Sequence, residues 1–169
     1  SQIPYLLDGA RWGYRLGDGV IVDAMYRDGL FCPLAEMIMG ETAERLAEKY
    51  GLSRKEQDEY AFESQRKANR AAEEGKFADE IVPVKAGEKD GKPIIIAADE
   101  HPRPDTTLEK LAKLPPVFKK GGTVTAGNSS GLTDGAAAMI LTTERQAKDL
   151  GLAPLARILG FASAGVDPK

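Results

Sequence analysis

MGETAERLAEKYGLSRKEQDEYAFESQRKANRAAEEGKFADEIVPV, residues 39–84, decides how this chain is read. Within it, ETAERLAEKY (41–50) places Ala43, Leu46, Ala47 and Tyr50 at i, i+3, i+4 and i+7. That spacing is one apolar stripe of a helix, and Gly51 stands where a helix stops. Ser53 followed by Glu56 is a capping box, which predicts a second and longer helix running to about residue 74, ended by Gly75. Its interior holds Tyr60, Ala61, Phe62, Ala68, Ala71 and Ala72 among many charges. Arg66, Lys67 and Arg70 lie near acidic neighbours, so the charge run reads as a solvated face.

Working outward, RWGYRLGDGVIVD (11–23) reads as a short hairpin, with Gly17-Asp18-Gly19 at the turn and β-branched Val20, Ile21 and Val22 after it. A Gly- and Pro-punctuated segment, DGLFCPLAEMIMG (28–40), separates it from the helices. EIVPV (80–84) and KPIIIA (92–97) read as strands around the turn AGEKDG, with Pro83 and Pro93 marking edge pieces. Thr106 with Glu109 predicts a capped short helix, LEKLAKL, halted by Pro115-Pro116. GAAAMILTT (135–143) and LARILGFASAGV (155–166) have the composition of buried strands, joined by a helical return, ERQAKDLG. The change of style near residue 133, from a helix-rich part to an alternating β/α pattern, indicates two architectural contexts.

Composition narrows the function classes. The 169 residues carry 23 basic and 26 acidic side chains, a net charge of −3, without the basic face that nucleic acid requires. No apolar run approaches the ~20 residues of a membrane span. Cys32 is the single cysteine and His101 the single histidine. An internal disulfide is therefore impossible, a zinc site built on those residues is disfavoured, and a reducing compartment is expected. Ser1 in place of Met, and Lys169 directly after GVDP, give both ends the look of cuts in a longer chain.

Three features can carry chemistry. The Gly/Ser/Thr loop at 121–135 offers backbone N–H groups and hydroxyls with little bulk, suited to close approach of a phosphate, amide or thioester. It contains neither GxGxxG nor GxxxxGK[ST], and Gly127-Asn128 also reads as a plain turn, so binder and corner both stand. Arg103, between Pro102 and Pro104, suits a guanidinium aimed at a fixed anion. It reads equally as an exposed arginine paired with Asp105 or Glu100. Lys110, Lys113, Lys119 and Lys120 form a local positive cluster that would attract an anionic ligand. Cys32, beside Pro33 in an apolar segment, lacks the neighbouring cation that activates a thiol, and nothing in the sequence brings it to His101. Both read as structural, which leaves little basis for a Cys32/His101 hydrolase.

The segments 39–84, ADEHPRPDTTLEKLAKLPPVFKKGGTVTAGNSSGLTDGAAAMIL (98–141) and PLARILGFASAGVDP (154–168) resemble, in order and over almost the whole chain, the thiolase family (3-ketoacyl-CoA thiolase and acetyl-CoA acetyltransferase). The resemblance implies an α/β fold: a helix-rich loop domain with a β-hairpin, plus flanking strands of an αβαβα core. Residues 1–132 would be the loop domain, which binds coenzyme A. Residues 133–152 would be the last strand and helix of the N-terminal half, and 153–169 the first strand of the C-terminal half. The implied activity is acyl transfer between 3-ketoacyl-CoA or acetyl-CoA and CoA through a cysteine thioester, in fatty acid metabolism, with CoA thioesters as substrates and no other cofactor or metal.

The same resemblance assigns residues. Arg103, in the family's DE-x-x-R segment, falls near the adenosine-phosphate end of the ligand. Ala126, Ser129 and Ser130 fall along the pantetheine arm, Ser130 being the firmest match. Leu30, Met39, Leu111, Leu114 and Phe118 fall on the adenine, pantetheine and acyl channel. Ile38 replaces a histidine of acetoacetyl-CoA-specific members, which leans toward a broader 3-ketoacyl-CoA thiolase, and Lys110 replaces a serine that some members place near the ligand. No catalytic residue is expected in this chain, because the family's nucleophilic cysteine falls before Ser1 and its GHPxGxSG and CxGxG segments fall after Lys169. The expected partners are the rest of a thiolase chain and further subunits of a homodimer or homotetramer, contacted through the 11–23 hairpin. The expected location is a bacterial cytoplasm, with mitochondrion and peroxisome left open. The reading from another class is a stand-alone, non-catalytic module that binds CoA, an acyl group or a protein.

Overall fold

The computed structural model describes residues 2–168; Ser1 and Lys169, the two ends that look cut, lie outside the described residues. The chain divides into two compact units, Gln2–Gly131 and the residues from Leu132 onward.

In the first unit, β1 (Tyr5–Leu6) pairs antiparallel with β2 (Val22–Asp23). The hairpin expected at 11–23 is thus replaced by a wider loop whose closing strand starts at residue 5. Gly17 takes φ +122°, but the flanking Trp12, Leu16 and Val20 stay exposed and make no ladder. Asp23 then accepts hydrogen bonds from the backbone N–H groups of Met25 and Tyr26 at 2.9 and 3.4 Å, opening a single π-turn over Met25–Leu30. β3 (Phe31–Cys32) and β4 (Met37–Ile38) form a second small ladder, in which Phe31 faces Ile38. Ala35 is buried within the reversal between them.

Two long helices follow. α1 (Met39–Tyr50) ends at Gly51, whose φ of +65° is the left-handed stop that glycine adopts without strain. α2 (Arg54–Glu73) opens on the expected capping box: the Ser53 hydroxyl accepts from the Glu56 N–H, and the Glu56 carboxylate accepts from the Ser53 N–H at 2.8 Å. The predicted stripe of α1 needs correction. Ala47 is buried, but Leu46 and Tyr50 are 51% and 66% exposed, and the side chain that enters the interior is Glu44. A carboxylate goes inward there because loop donors are waiting for it.

β5 (Val84–Lys89) and β6 (Lys92–Ile96) make an antiparallel hairpin with a register irregularity between Lys85 and Gly87. The reversal is the two-residue Asp90-Gly91 turn, with φ of +51° and +73°; most of the AGEKDG segment taken as turn belongs to β5. α3 (Leu108–Ala112) is capped by Thr107, which accepts from the Lys110 N–H at 3.2 Å. Thr106, the expected cap, instead donates its hydroxyl to the Arg103 carbonyl at 2.7 Å. Among the described residues, the buried apolar side chains of this unit are Ala24, Ala35, Ala47, Leu111 and Val124, mostly small. Polar cross-links therefore share the work of holding it together.

In the second unit, α4 (Glu144–Asp149) is capped by Thr143 and ends before Gly151 at φ +64°. The strands expected at 135–143 and 155–166 are not formed. Met139, Ile140, Leu141, Leu155, Ile158, Leu159, Phe161 and Val166 are all exposed. A strand needs a partner to take its backbone hydrogen bonds, and these segments have none among the described residues.

Candidate functional site

Residues 121–131 are not a free loop. Glu44, 4% exposed, accepts from the backbone N–H of Thr123 (2.8 and 3.0 Å), from the N–H of Val124 (2.7 Å) and from the Thr123 hydroxyl (3.1 Å). Burial pushes the Glu44 carboxyl up, but those donors, with the nearby Lys119 ammonium, outweigh it and hold the group below the ordinary glutamate value. Gly122 permits the approach, since a Cβ there would overlap the Glu44 carboxylate. Lys119 pairs with Glu48 at the rim.

A second anchor comes from α2. Asp58, also 4% exposed, accepts from Arg54 Nε at 2.8 Å and from Asn128 Nδ2 at 3.0 Å. Arg54 Nη2 donates onward to the carbonyls of Leu111 (2.6 Å) and Leu114 (3.0 Å), which satisfies the C-terminal end of α3. Asn128 closes the loop on itself: Oδ1 accepts from the Thr125 N–H at 2.7 Å and Nδ2 donates to the Thr123 carbonyl at 3.0 Å. Ser129 Oγ donates to the Thr125 carbonyl at 2.7 Å. Thr125, at 0% exposure, is the centre of this knot.

The candidate residues fall in three groups around it. Leu111 is buried and Leu114 half-buried, and both side chains lie against Gly127, where an added Cβ would come within 2.5 Å of a methyl of each. Ala126, Ser129 and Ser130 sit on the same loop, Ala126 and Ser130 exposed and Ser129 half-buried. Gly127→Ala is accordingly expected to destabilise the unit by about 1–3 kcal/mol through overpacking, measured as a loss of denaturant midpoint at unchanged m-value.

Arg103 is the second group. Its backbone N–H donates to Gln65 Oε1 at 2.8 Å, and its carbonyl accepts from Thr106 twice. Its guanidinium makes no ion pair within 4 Å among the described residues, although its charge reaches Asp105. Asp105, the expected competitor, is bonded by Lys110 at 2.6 Å, which chiefly lowers its pKa, with a smaller contribution from the Arg103 charge. The segment lies beside the loop, because the His101 ring occupies the space where Gly131 would carry a Cβ. The third group is Phe118, whose half-buried ring covers Gly40 next to the exposed Met39. The β3–β4 ladder pairs Phe31 with Ile38; Leu30 and Met39 lie just outside it, at the end of the π-turn and the start of α1.

Cys32 accepts weakly from the Ala35 N–H at 3.5 Å, and no hydrogen bond links it to His101. A hollow of about 250 Å³ opens between α1 and the loop, bounded by Glu48, Leu52, Ser53 and Lys119, and none of the candidate residues lines it. Among the described residues no cluster of His, Cys, Asp and Glu could hold a metal ion, and no helix is long and apolar enough to cross a membrane. Sequence reasoning missed Glu44, Arg54, Asp58 and Asn128 as a set. The one available signal was a carboxylate, Glu44, beside an otherwise apolar stripe.

The first unit thus presents a doubly anchored small-residue loop with the Arg103 segment beside it. Comparison with known proteins makes this specific. The model of the thiolase N-terminal domain matches residues 1–145, and the chain belongs to the thiolase family. It is 54% identical over 168 residues to acetyl-CoA acetyltransferase of Pseudomonas aeruginosa, covering 99% of this chain and 43% of that protein. Its fold matches the crystal structure of Bacillus anthracis acetyl-CoA acetyltransferase with TM-score 0.82 at 51% identity, over 98% of this chain and 41% of that one. It also matches human mitochondrial 3-ketoacyl-CoA thiolase in complex with CoA, with TM-score 0.76 at 43% identity, over 91% and 38% of the two chains. The chain thus spans less than half the length of the curated relatives it matches.

Proposed function

We propose that this chain is the CoA-binding part of a thiolase that moves acyl groups between 3-ketoacyl-CoA or acetyl-CoA and CoA through a cysteine thioester. The observation that carries the reading is Arg103, its guanidinium in no ion pair among the described residues and its backbone held by Gln65 and Thr106, beside a small-residue loop that is itself tied down on two sides. Residues 1–132 act as the loop domain, 133–152 as the end of the first thiolase half and 153–169 as the start of the second. Exposed apolar side chains at 139–141 and 155–161 suit that role, since they would become buried once partner strands are supplied.

In this reading Arg103 faces the phosphates of the adenosine end. Ala126, Ser129 and Ser130 flank the pantetheine arm, and Leu111, Leu114, Phe118, Met39 and Leu30 line the channel toward the acyl group. The nucleophile belongs to a segment other than residues 1–169, so Cys32 takes no part. The fuller protein acts without a metal, as a homo-oligomer, in the cytoplasm of a bacterium. The test is to incubate the full-length protein with acetyl-CoA, quench in acid and locate the acyl group by peptide mass spectrometry. The expected thioester sits on a cysteine other than Cys32. Acylation of Cys32, or of no cysteine, would overturn the mechanism.

A further inference from the structure

The buried carboxylate of Asp58 has a use beyond stability, because its two oxygens serve two different parts of the candidate site. Oδ2 takes Arg54, which holds the carbonyls of Leu111 and Leu114; Oδ1 takes Asn128, which holds Thr123 and Thr125. Asn128 has both amide hydrogens engaged, and its carbonyl oxygen accepts a third hydrogen bond. The apolar wall and the small-residue loop are therefore referenced to one point on α2.

The same helix also references Arg103. Gln65, which accepts from the Arg103 N–H, lies seven residues beyond Asp58 and eleven beyond Arg54. Those spacings return to one face of a helix, and eleven residues at 1.5 Å span roughly 16 Å. One rigid face thus sets the separation between the arginine and the loop, which matters for a ligand with an anionic head and an extended arm.

We infer that Asp58 and Asn128 are positioning residues, through which α2 holds loop 123–130 against α3 at a set distance from Arg103, so that one extended acyl-carrier ligand reaches both. This inference rests on the CoA reading proposed above. Neither residue touches the ligand.

The experiment measures dissociation constants of the full-length protein by calorimetry for two probes, CoA and adenosine 3′,5′-bisphosphate, which lacks the arm. Asn128→Asp sets a second carboxylate against Asp58. It is expected to weaken CoA binding about tenfold or more and to change bisphosphate binding less than about twofold. Asn128→Ala removes the bridge without the added charge and serves if the first variant does not fold. Asp58→Asn combined with Asn128→Asp restores one donor–acceptor pair and is expected to recover most of the CoA affinity. Arg103→Ala is the control and should weaken both probes. If Arg103→Ala weakens CoA while the folded Asn128 variants do not, the positioning role is wrong and the CoA reading stands. If the Asn128 variants weaken both probes equally, the loop is not set apart from the arginine and the inference also fails. If the unsubstituted protein binds neither probe, the CoA reading itself falls.

Discussion

Glu44→Ala should cost the Gln2–Gly131 unit about 3 kcal/mol or more of unfolding free energy. The carboxylate is 4% exposed and is the acceptor for two consecutive backbone N–H groups and one hydroxyl. Truncation leaves those donors buried without a partner, at about 1–3 kcal/mol each, and water entering the space recovers part of that. Glu44→Gln should be milder but still harmful, because its amide nitrogen would face donors. Since the folded protein holds Glu44 below its ordinary pKa, its contribution is complete above the unfolded glutamate value. That contribution is lost as pH falls through the unfolded value toward the depressed folded one. Denaturant unfolding between about pH 6 and pH 3 should therefore show a smaller loss for Glu44→Gln than for the unsubstituted protein. Parallel pH profiles would show that Glu44 is not the linked group.

Arg103→Ala, in the full-length protein, should raise the dissociation constant for CoA about tenfold or more, the equivalent of one charge-assisted phosphate contact at about 1.5–3 kcal/mol. The arginine is available for that contact because Lys110 holds Asp105, and it is steady because Pro102 and Pro104 flank it while Gln65 and Thr106 hold its backbone. The phosphate end is remote from the bond that reacts. The loss should accordingly appear in KM, with kcat changed far less. Arg103→Lys should retain part of the affinity as a point charge without the planar fork, and added salt should narrow the gap between all three proteins. CoA titrations of the unsubstituted protein and the Arg103→Ala variant that superimpose would remove the arginine from the site.

Local signals survived into the structure well. Ser53 and Glu56 cap α2, and Gly51, Gly75 and Gly151 all take left-handed φ where helices were expected to end. These features depend on neighbours within four residues, so a linear reading suffices. Thr107 in place of Thr106 is an error of one element's edge, whereas the tight hairpin expected at 11–23 is not formed, only Val22–Asp23 of it being strand and pairing with Tyr5–Leu6. Periodicity misjudged α1, because it counts apolar side chains and cannot see that Glu44 meets donors 79 and 80 residues away.

The sequence by itself determined the family, the helical character of residues 39–74 and the residues worth watching, since caps, stops and matched segments are local or ordered along the chain. Tertiary structure alone decided which polar groups go inward. Glu44, Asp58 and Asn128 are buried or half-buried because each meets complementary groups brought from elsewhere in the chain, and an unpartnered polar group could not be placed there. The same principle explains the segments 135–143 and 155–166. Their composition favours strands, yet a strand exists only where another edge accepts its hydrogen bonds, and among the described residues none does.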